Sequence, residues 1–365
     1  MVYNNCRYLH ATQQRSLFMA NMKDIAARAN VSIATVSKVL NGQGNVAPET
    51  IRLVTDIANE LNYRPNLYAR NLKKGQSHAI GIITEDITVF NSSAIVDGIG
   101  ACCDERGYHY FLENLRLNRL NINPLTDFSS YSKIVSDAVS FVSSMQVDGV
   151  IYLSCHSHTL VHLPFPDDLP LVCAYCNSSD PSIPSVTYND KSAAYNVAKE
   201  LIAAGHTKIG TITGPTSSPH TINRLTGFQE ALFENDIPYN PKYTVAGDWG
   251  RDSGYELGKT LIDMGVTAIF AQNDLMAMGI IDYCNISGIA VGKDIALFGF
   301  DNREISTVCR PTLSTVAIPL FEIGHTSAET VFNIIENKEN IETGEILLDC
   351  NLIFRESSNY DRSKQ

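Results

Sequence analysis

From His78 onward the chain keeps returning to one pattern, and that pattern leaves few folds open. Short runs rich in apolar and β-branched residues, AIGIIT, YHYFL, GVIYLS, PLVCAY, KIGTIT, TAIFA and DIALFGF, alternate with longer stretches of helical character. Among the latter are SSAIVDGIGACCDERG, KSAAYNVAKELIAAG and RDSGYELGKTLIDMG. Strands apolar at successive positions are buried on both faces, and strands separated by helices pair in parallel under a helical cover. Roughly 280 residues of this pattern exceed one compact core, so two α/β lobes with a cleft are expected. Open α/β sheets hold ligands at the carboxyl ends of their strands.

Residues 22–75 have a different texture. Apolar residues at helical spacing mark three short segments: Ile25, Ala26 and Ala29, then Val36, Val39 and Leu40, then Ile51, Val54, Ala58 and Leu61. Only about four residues join the first two, and Ser32 supplies an N-cap for the second. Two short helices on so tight a turn suit a helix-turn-helix, although a generic three-helix packing unit has the same spacing. Charge separates the two readings. Met1–Ser77 holds ten Lys/Arg against four Asp/Glu, while the remainder holds 18 against 35. A basic end on an acidic body is expected where the end meets phosphate and the body does not. Further on, Pro65 disfavours helix before it, Asn66 caps a stub over Leu67–Lys74, and Gly75 ends it. The stub is shorter than the roughly 12–15 residues an isolated helix needs, so it is expected to order only against a partner.

The runs KDIAARANVSIATVSKVLNG, PETIRLVTDIANELNYRPN and ARNLKKG carry the reading further. With VS-x-x-TVS-x-VLN followed by YRPN, the chain resembles the lactose/galactose repressor family of bacterial transcription regulators. The resemblance continues through HTKIGTITGP, AIFAQNDLMAMG, DIALFGFDN and LSTVAIPLFEIGHTSAETVF, from Met22 to about Glu356. It implies an N-terminal all-α helix-turn-helix DNA-binding domain plus an α/β two-lobed periplasmic-binding-protein-like effector domain. The expected division is an unstructured extension over 1–21, the DNA-binding domain over 22–65 and a hinge helix and linker over 66–77. An effector-binding and dimerisation domain follows over 78–356, with a tail over 357–365. Three crossings near residues 188, 318 and 343 split the effector domain. Its first lobe is about 78–187 plus 319–343, and its second about 188–318 plus 344–356.

By the same resemblance Ser32–Asn41 is the recognition helix. Ile33, Ala34 and Lys38 take the positions that read base edges, Thr35 and Ser37 hold phosphate, and Ser32, Asn41, Tyr63 and Asn66 complete the DNA-contacting set. Hinge helices from the two subunits of a homodimer pair in the minor groove, with Leu72 as the wedge and Ala69 allowing close approach. Two residues depart from the family pattern. Asn30 stands in the turn where Gly is usual, and Asn tolerates the left-handed conformation. Lys38 stands where Arg is common, giving up a bidentate grip on guanine for a point charge. Ile33 and Ala34 suit thymine methyl groups better than hydrogen-bonding base edges. Leu72→Ala is expected to weaken specific operator binding by a few kcal/mol and leave effector affinity nearly unchanged. Mobility-shift and ligand titrations of the two proteins check this, and equal operator affinity would remove the wedge.

In the later part of the chain, polar and aromatic residues stand at strand ends. Asn273 and Asp274 follow TAIFAQ, Asp301 follows ALFGF, Arg224 lies in the helix after TITGP, and Trp249 lies in GDWGRDSG. Carboxylates, amides and Arg bind hydroxyls, and an aromatic face receives the C–H side of a sugar ring. Asp274 reads equally well as a helix N-cap. The resemblance places Arg224, Trp249, Asn273 and Asp301 against a sugar-type effector. Phe90, Asn91, His156 and Tyr175, which follow other strands, extend the set. Ile318 is apolar at a crossing where the family often has an amide, so a sugar, a sugar phosphate or a nucleobase all stay open. Few basic residues among the candidates count against a phosphorylated ligand.

Other classes are disfavoured. The chain shows no GxSxG elbow, no GxxxxGK[ST] loop and no paired carboxylates, so no catalysis is expected and no cofactor. Cys173-Ala-Tyr-Cys176 reads as part of a buried strand with the two thiols on opposite faces, and Cys155-His156-Ser157-His158 lacks nearby carboxylates, so no metal site is expected. Nine scattered cysteines suit a reducing cytoplasm, and no apolar run reaches membrane-spanning length. The resulting expectation is a cytoplasmic homodimer that binds a pseudo-palindromic double-stranded DNA operator and a small sugar-type effector, repressing carbohydrate genes. A corepressor-type regulator answering to a nucleobase is the alternative within this class. A sugar-binding transport protein is the alternative outside it, and that reading would need a signal peptide that residues 1–21 do not resemble.

Overall fold

A computed structural model describes residues 20–42, 44–63, 77–124, 126–156, 158–161, 165–337 and 343–358. The chain divides into two compact units, Met1–Gln76 and Ser77–Gln365. The expected hinge stub, with Asn66, Ala69 and Leu72, lies outside the described residues.

The first unit holds helices α1 (Met22–Ala29), α2 (Ile33–Leu40) and α3 (Pro48–Glu60). Asn21 and Asp24 form a reciprocal capping box at the start of α1, each side chain accepting from the other's backbone N–H. Asn30 ends α1 in the left-handed region at φ 51°, which turns the chain sharply enough for Ser32 to cap α2 two residues later. Ser32 Oγ accepts from the Thr35 N–H at 3.1 Å. Ile25, Ala26, Ala29, Val36, Val54, Ile57 and Ala58 form the core, with the Tyr63 ring packed on its edge. Val36 is the only fully buried residue of α2, so most of that short helix remains available at the surface.

The second unit contains two six-stranded sheets. Its strands are β1 (Ala79–Thr84), β2 (His109–Asn114), β3 (Gly149–Leu153), β4 (Leu171–Ala174), β5 (Ser185–Tyr188), β6 (Ile209–Thr213), β7 (Thr244–Ala246), β8 (Ala268–Ala271), β9 (Ala296–Asp301), β10 (Ser314–Ala317), β11 (Glu345–Leu348) and β12 (Asn351–Ile353). The first sheet runs β11-β5-β4-β3-β1-β2, parallel throughout. The second runs β12-β10-β9-β8-β6-β7, parallel except for the antiparallel edge strand β12. Its principal helices are α4 (Ser92–Arg106), α5 (Phe128–Ser144), α6 (Asp190–Ala203), α7 (Pro219–Glu234), α8 (Arg251–Asp263), α9 (Asp274–Ser287) and α10 (Leu320–Ile335). Every residue of β1 is buried, as a central strand requires, whereas edge strand β2 is partly open. Helices α4 and α10 cross where neither carries a side chain. A Cβ on Gly98 would fall 2.0 Å from the Phe321 carbonyl oxygen, and one on Gly324 would fall 1.9 Å from that of Ile95. Only glycine permits that approach.

The chain passes between the sheets after β5, after β10 and after β11. The last passage comes at Asp349–Cys350, beyond the expected residue 343. Gly344, at φ 80°, turns the chain into the first sheet, where Glu345–Leu348 pairs with Ser185–Tyr188 before β12 joins the second. Residues 344–348 therefore belong to the first lobe. The expected tail also starts too early. Ser357 and Ser358 are buried, and Ser357 Oγ both accepts from the Ser314 N–H and donates to the Leu297 carbonyl. Cys173 and Cys176, expected on opposite faces, share one core cluster. The strand stops at Ala174, and Tyr175 at φ 64° redirects the chain before Cys176.

Candidate functional site

On the first unit, the surface of α2 carries Ser32, Ile33, Ala34 and Lys38, with Thr35, Ser37 and Asn41 half-buried beside them. Ile33 is 44% exposed, unusual for isoleucine in a small module whose core it could join. The polar members are already organised. The Ser32 and Thr35 hydroxyls lie 2.9 Å apart, and Asn41 Nδ2 donates to Ser37 Oγ at 3.2 Å. The Lys38 stem lies alongside Gly44 and leaves its ammonium accessible. This is an apolar and singly charged face on a helix, an element that a DNA major groove admits.

On the second unit, a cavity of about 720 Å³ opens at the carboxyl ends of both sheets. Phe90 follows β1, His156 follows β3, and Tyr175 follows β4, all from the first lobe; Arg224, Trp249, Asn273 and Asp301 come from the second. Three of them, Tyr175 (φ 64°), Trp249 (φ 70°) and Asp301 (φ 109°), have positive φ. Such conformations cost on the order of 1–3 kcal/mol each for residues with a Cβ, and they concentrate at ligand sites. Neighbours hold them in place. Asn273 caps α9 by accepting from the Met276 N–H at 2.8 Å and donates to the Trp249 carbonyl at 2.9 Å. The indole covers Gly214, where any Cβ would collide with it.

Arg224 is almost fully buried and heavily committed. Its Nε donates to Asp190 Oδ1 at 2.6 Å, one Nη to the Tyr188 hydroxyl at 2.9 Å and the other to the Gln272 carbonyl. Its guanidinium lies 3.5 Å from the Phe300 ring centroid. Asp190 also meets His220 Nδ1 at 2.6 Å, and His220 stacks on Tyr188. Burial alone would raise the Asp190 carboxyl, but the charges of Arg224 and His220 hold it below the usual carboxylate value. Asp301 differs. Its carboxylate borders the cavity and accepts no hydrogen bond from any described residue. Burial drives it well above the ordinary carboxylate range, with the Arg224 charge opposing. Across the cleft, the Arg303 guanidinium lies 4.8 Å from the Phe90 ring centroid.

A second buried charge pair borders the same cavity. Glu85 Oε1 lies 3.2 Å from His158 Nε2, and both side chains are less than a tenth exposed. Glu85 also accepts from the Tyr152 hydroxyl, Ser154 Oγ and the Cys155 N–H. His158 Nδ1 lies 2.8 Å from the His156 carbonyl oxygen. Both ring nitrogens thus face oxygen acceptors, which fits an imidazolium. Among the described residues no cluster of His, Cys, Asp and Glu could hold a metal ion, and no helix is long and apolar enough to cross a membrane.

Residues 21–66 match the bacterial regulatory proteins of the lacI family, and 198–358 match the periplasmic binding protein-like domain. The chain is 32% identical over 346 residues to catabolite control protein A of Priestia megaterium, covering 92% of this chain and 98% of that protein. It belongs to the lacI family of bacterial regulatory proteins. As a lacI-family chain it is also similar to the HTH-type transcriptional repressor CytR of Escherichia coli (strain K12), at 29% identity over 93% of this chain and 96% of that one. A lac repressor dimer solved with operator and the anti-inducer ONPF has a TM-score of 0.75 and 27% identity, over 93% of this chain and 98% of that chain.

The cavity of this lacI-family protein brings together Phe90, His156, Tyr175, Arg224, Trp249, Asn273 and Asp301. Asn91 does not join them. It is fully buried, and its Nδ2 donates to the Cys155 carbonyl at 3.2 Å, which ties the first-lobe loops together behind the wall. Asp274 is not the N-cap that its position suggests. Asn273 caps the helix, while Asp274 accepts from the Arg303 N–H at 2.7 Å and the Thr315 hydroxyl at 2.6 Å. Ile318 packs into the core cluster. Sequence reasoning missed His220, although it precedes Arg224 by one helical turn and so shares its face. It also missed the pairing of Glu85 with His158, a residue weighed only as a metal ligand, because a pair so far apart in the chain leaves no local signal.

Proposed function

We propose that this protein is a cytoplasmic, homodimeric transcriptional repressor that binds a pseudo-palindromic DNA operator and releases it when a neutral sugar occupies the cavity. Family membership supports the DNA-binding regulator, and the exposed α2 face supplies Ile33, Ala34 and Lys38 for base contact. The observation that carries the sugar reading is the unpartnered Asp301 carboxylate in a cavity shared with the Trp249 ring. A carboxyl group can accept from one sugar hydroxyl and, in the protonated form that burial favours here, donate to its neighbour, while an indole covers the apolar face of a pyranose. An anionic ligand fits less well, because Arg224 is neutralised by Asp190 and Arg303 lies on Phe90.

Release requires unequal affinity. A sugar that bound the DNA-competent and the released states equally would shift nothing, whatever its strength. Electrophoretic mobility shift on the DNA upstream of the protein's own gene tests the reading. A retarded complex is expected, weakened by added salt and dissolved by a binding sugar. Lys38→Ala is expected to reduce operator affinity by about 1–3 kcal/mol and to alter preference at one base-pair position. Absence of any sequence-specific shift would overturn the assignment.

A further inference from the structure

Helix α5 begins at Phe128, whereas β2 ends at Asn114, so residues 115–127 form the connection at the cavity rim. Connections of this kind usually take about 2–6 residues, and much longer ones are commonly binding loops or lids. This one is firmly held where it leaves the sheet. Leu115 N–H donates to the Thr84 carbonyl at 2.9 Å, Leu117 N–H to that of Glu85 at 3.0 Å, and Ile122 N–H to that of Leu117 at 3.0 Å. Asn118 N–H donates to Asp86 Oδ2, and the Leu115 and Leu117 side chains are buried. The result is a fixed platform that adds Leu117, Asn118, Asn121, Ile122, Asn123 and Pro124 to the cavity lining.

The chemistry of that platform is specific. Asn118 and Asn121 side-chain amides make no hydrogen bond with any described residue. Each offers a donor and an acceptor without charge, which matches hydroxyl groups. Ile122 and Pro124, half-buried beside them, supply apolar surface for C–H groups, with Leu117 packed into the core beneath. Arg116 and Arg119 lie in the same segment but are outside the lining, so the platform presents no cation to the cavity. Size points the same way. A cavity of about 150 Å³ suffices for benzene, so one pyranose leaves much of this volume empty.

The geometry points to a second saccharide subsite on Leu117–Pro124, so that the effector is a neutral oligosaccharide of at least two rings. This rests on the sugar reading of the cleft. One ring meets Trp249, Tyr175 and Asp301, and the next meets Asn118 and Asn121. Trp249 is the sole tryptophan and lines the cavity, so intrinsic fluorescence of the full chain reports binding.

Titration with glucose and galactose, and separately with cellobiose, maltose and lactose, tests the subsite. At least one disaccharide is expected to bind about tenfold more tightly than its component monosaccharides. In the double variant Asn118→Ala/Asn121→Gly, where glycine keeps the positive φ of position 121, that preference is expected to fall about tenfold. If monosaccharides bind as tightly as every disaccharide, or if the double variant keeps the full preference, the second subsite is overturned while the sugar cleft stands. If no saccharide of either size alters the fluorescence, the sugar reading itself is overturned, and the subsite with it.

Discussion

Arg224→Met is expected to destabilise the second unit by about 3–5 kcal/mol, because it strands the buried Asp190 carboxylate without its principal counter-charge. Nothing on the surface can compensate, since Arg224 is 3% exposed and three of its nitrogens already serve Asp190, Tyr188 and Gln272. The double variant Asp190→Asn/Arg224→Met is expected to recover much of the loss. Removing both charges removes the desolvation penalty along with the attraction, and the methionine retains contact with Phe300. Urea denaturation followed by circular dichroism measures both proteins. A single-variant loss below about 1 kcal/mol would mean that the pair does not behave as a buried ion pair. Arg224 is therefore a keystone between Asp190 on α6 and Gln272 at the end of β8.

The Glu85–His158 pair yields a second large effect, one that depends on pH. Burial pushes the His158 imidazole down, but the hydrogen bond and charge of Glu85 outweigh it and raise the value above 6.5. Burial likewise pushes Glu85 up, and His158, the Cys155 N–H and Ser154 outweigh it and lower the value below 4.5. The His158 contribution is thus complete below pH 6.5 and disappears as pH rises through its folded-state value. The Glu85 contribution is complete above pH 4.5 and disappears as pH falls through its folded-state value. Between those limits Glu85→Gln is expected to cost about 3–5 kcal/mol, since it leaves a buried imidazolium facing an amide. The difference narrows at alkaline pH, where His158 is neutral in both proteins. Thermal unfolding of the two proteins across that range measures it, and a pH-independent difference would show that the pair is not charged.

The sheets were legible in sequence where strands are apolar throughout. AIGIIT and GVIYLS form fully buried strands because their apolar runs are nearly unbroken, and the hydroxyl of Tyr152 finds Glu85 at the strand end. Ser185–Tyr188 and Ser314–Ala317 escaped that reading although their neighbours in the sheets bury them almost completely. Their hydroxyls are satisfied by residues distant in the chain. Thr187 donates to Glu345, Ser314 to Ser358, and Thr315 to Asp274. No pattern within four residues can announce such pairings. The same limit applied at the site. Arg224, Trp249 and Asp301 were legible from strand ends and family positions, whereas Asn91 has the right chemistry spent on a backbone carbonyl. The Leu117–Pro124 platform was illegible because its residues follow no period at all.

Three separate strands leave one lobe for the other, after Tyr188, Ala317 and Leu348. A single tether would let the lobes swivel in any direction, and two would still permit twisting about their common line. Three side by side act as a leaf hinge, stiff to torsion and shear and compliant in one bend alone. Any molecule lodged between the lobes therefore pushes on that same coordinate, wherever along the crevice it sits. Guests of different size would differ in how far they move it, not in which way.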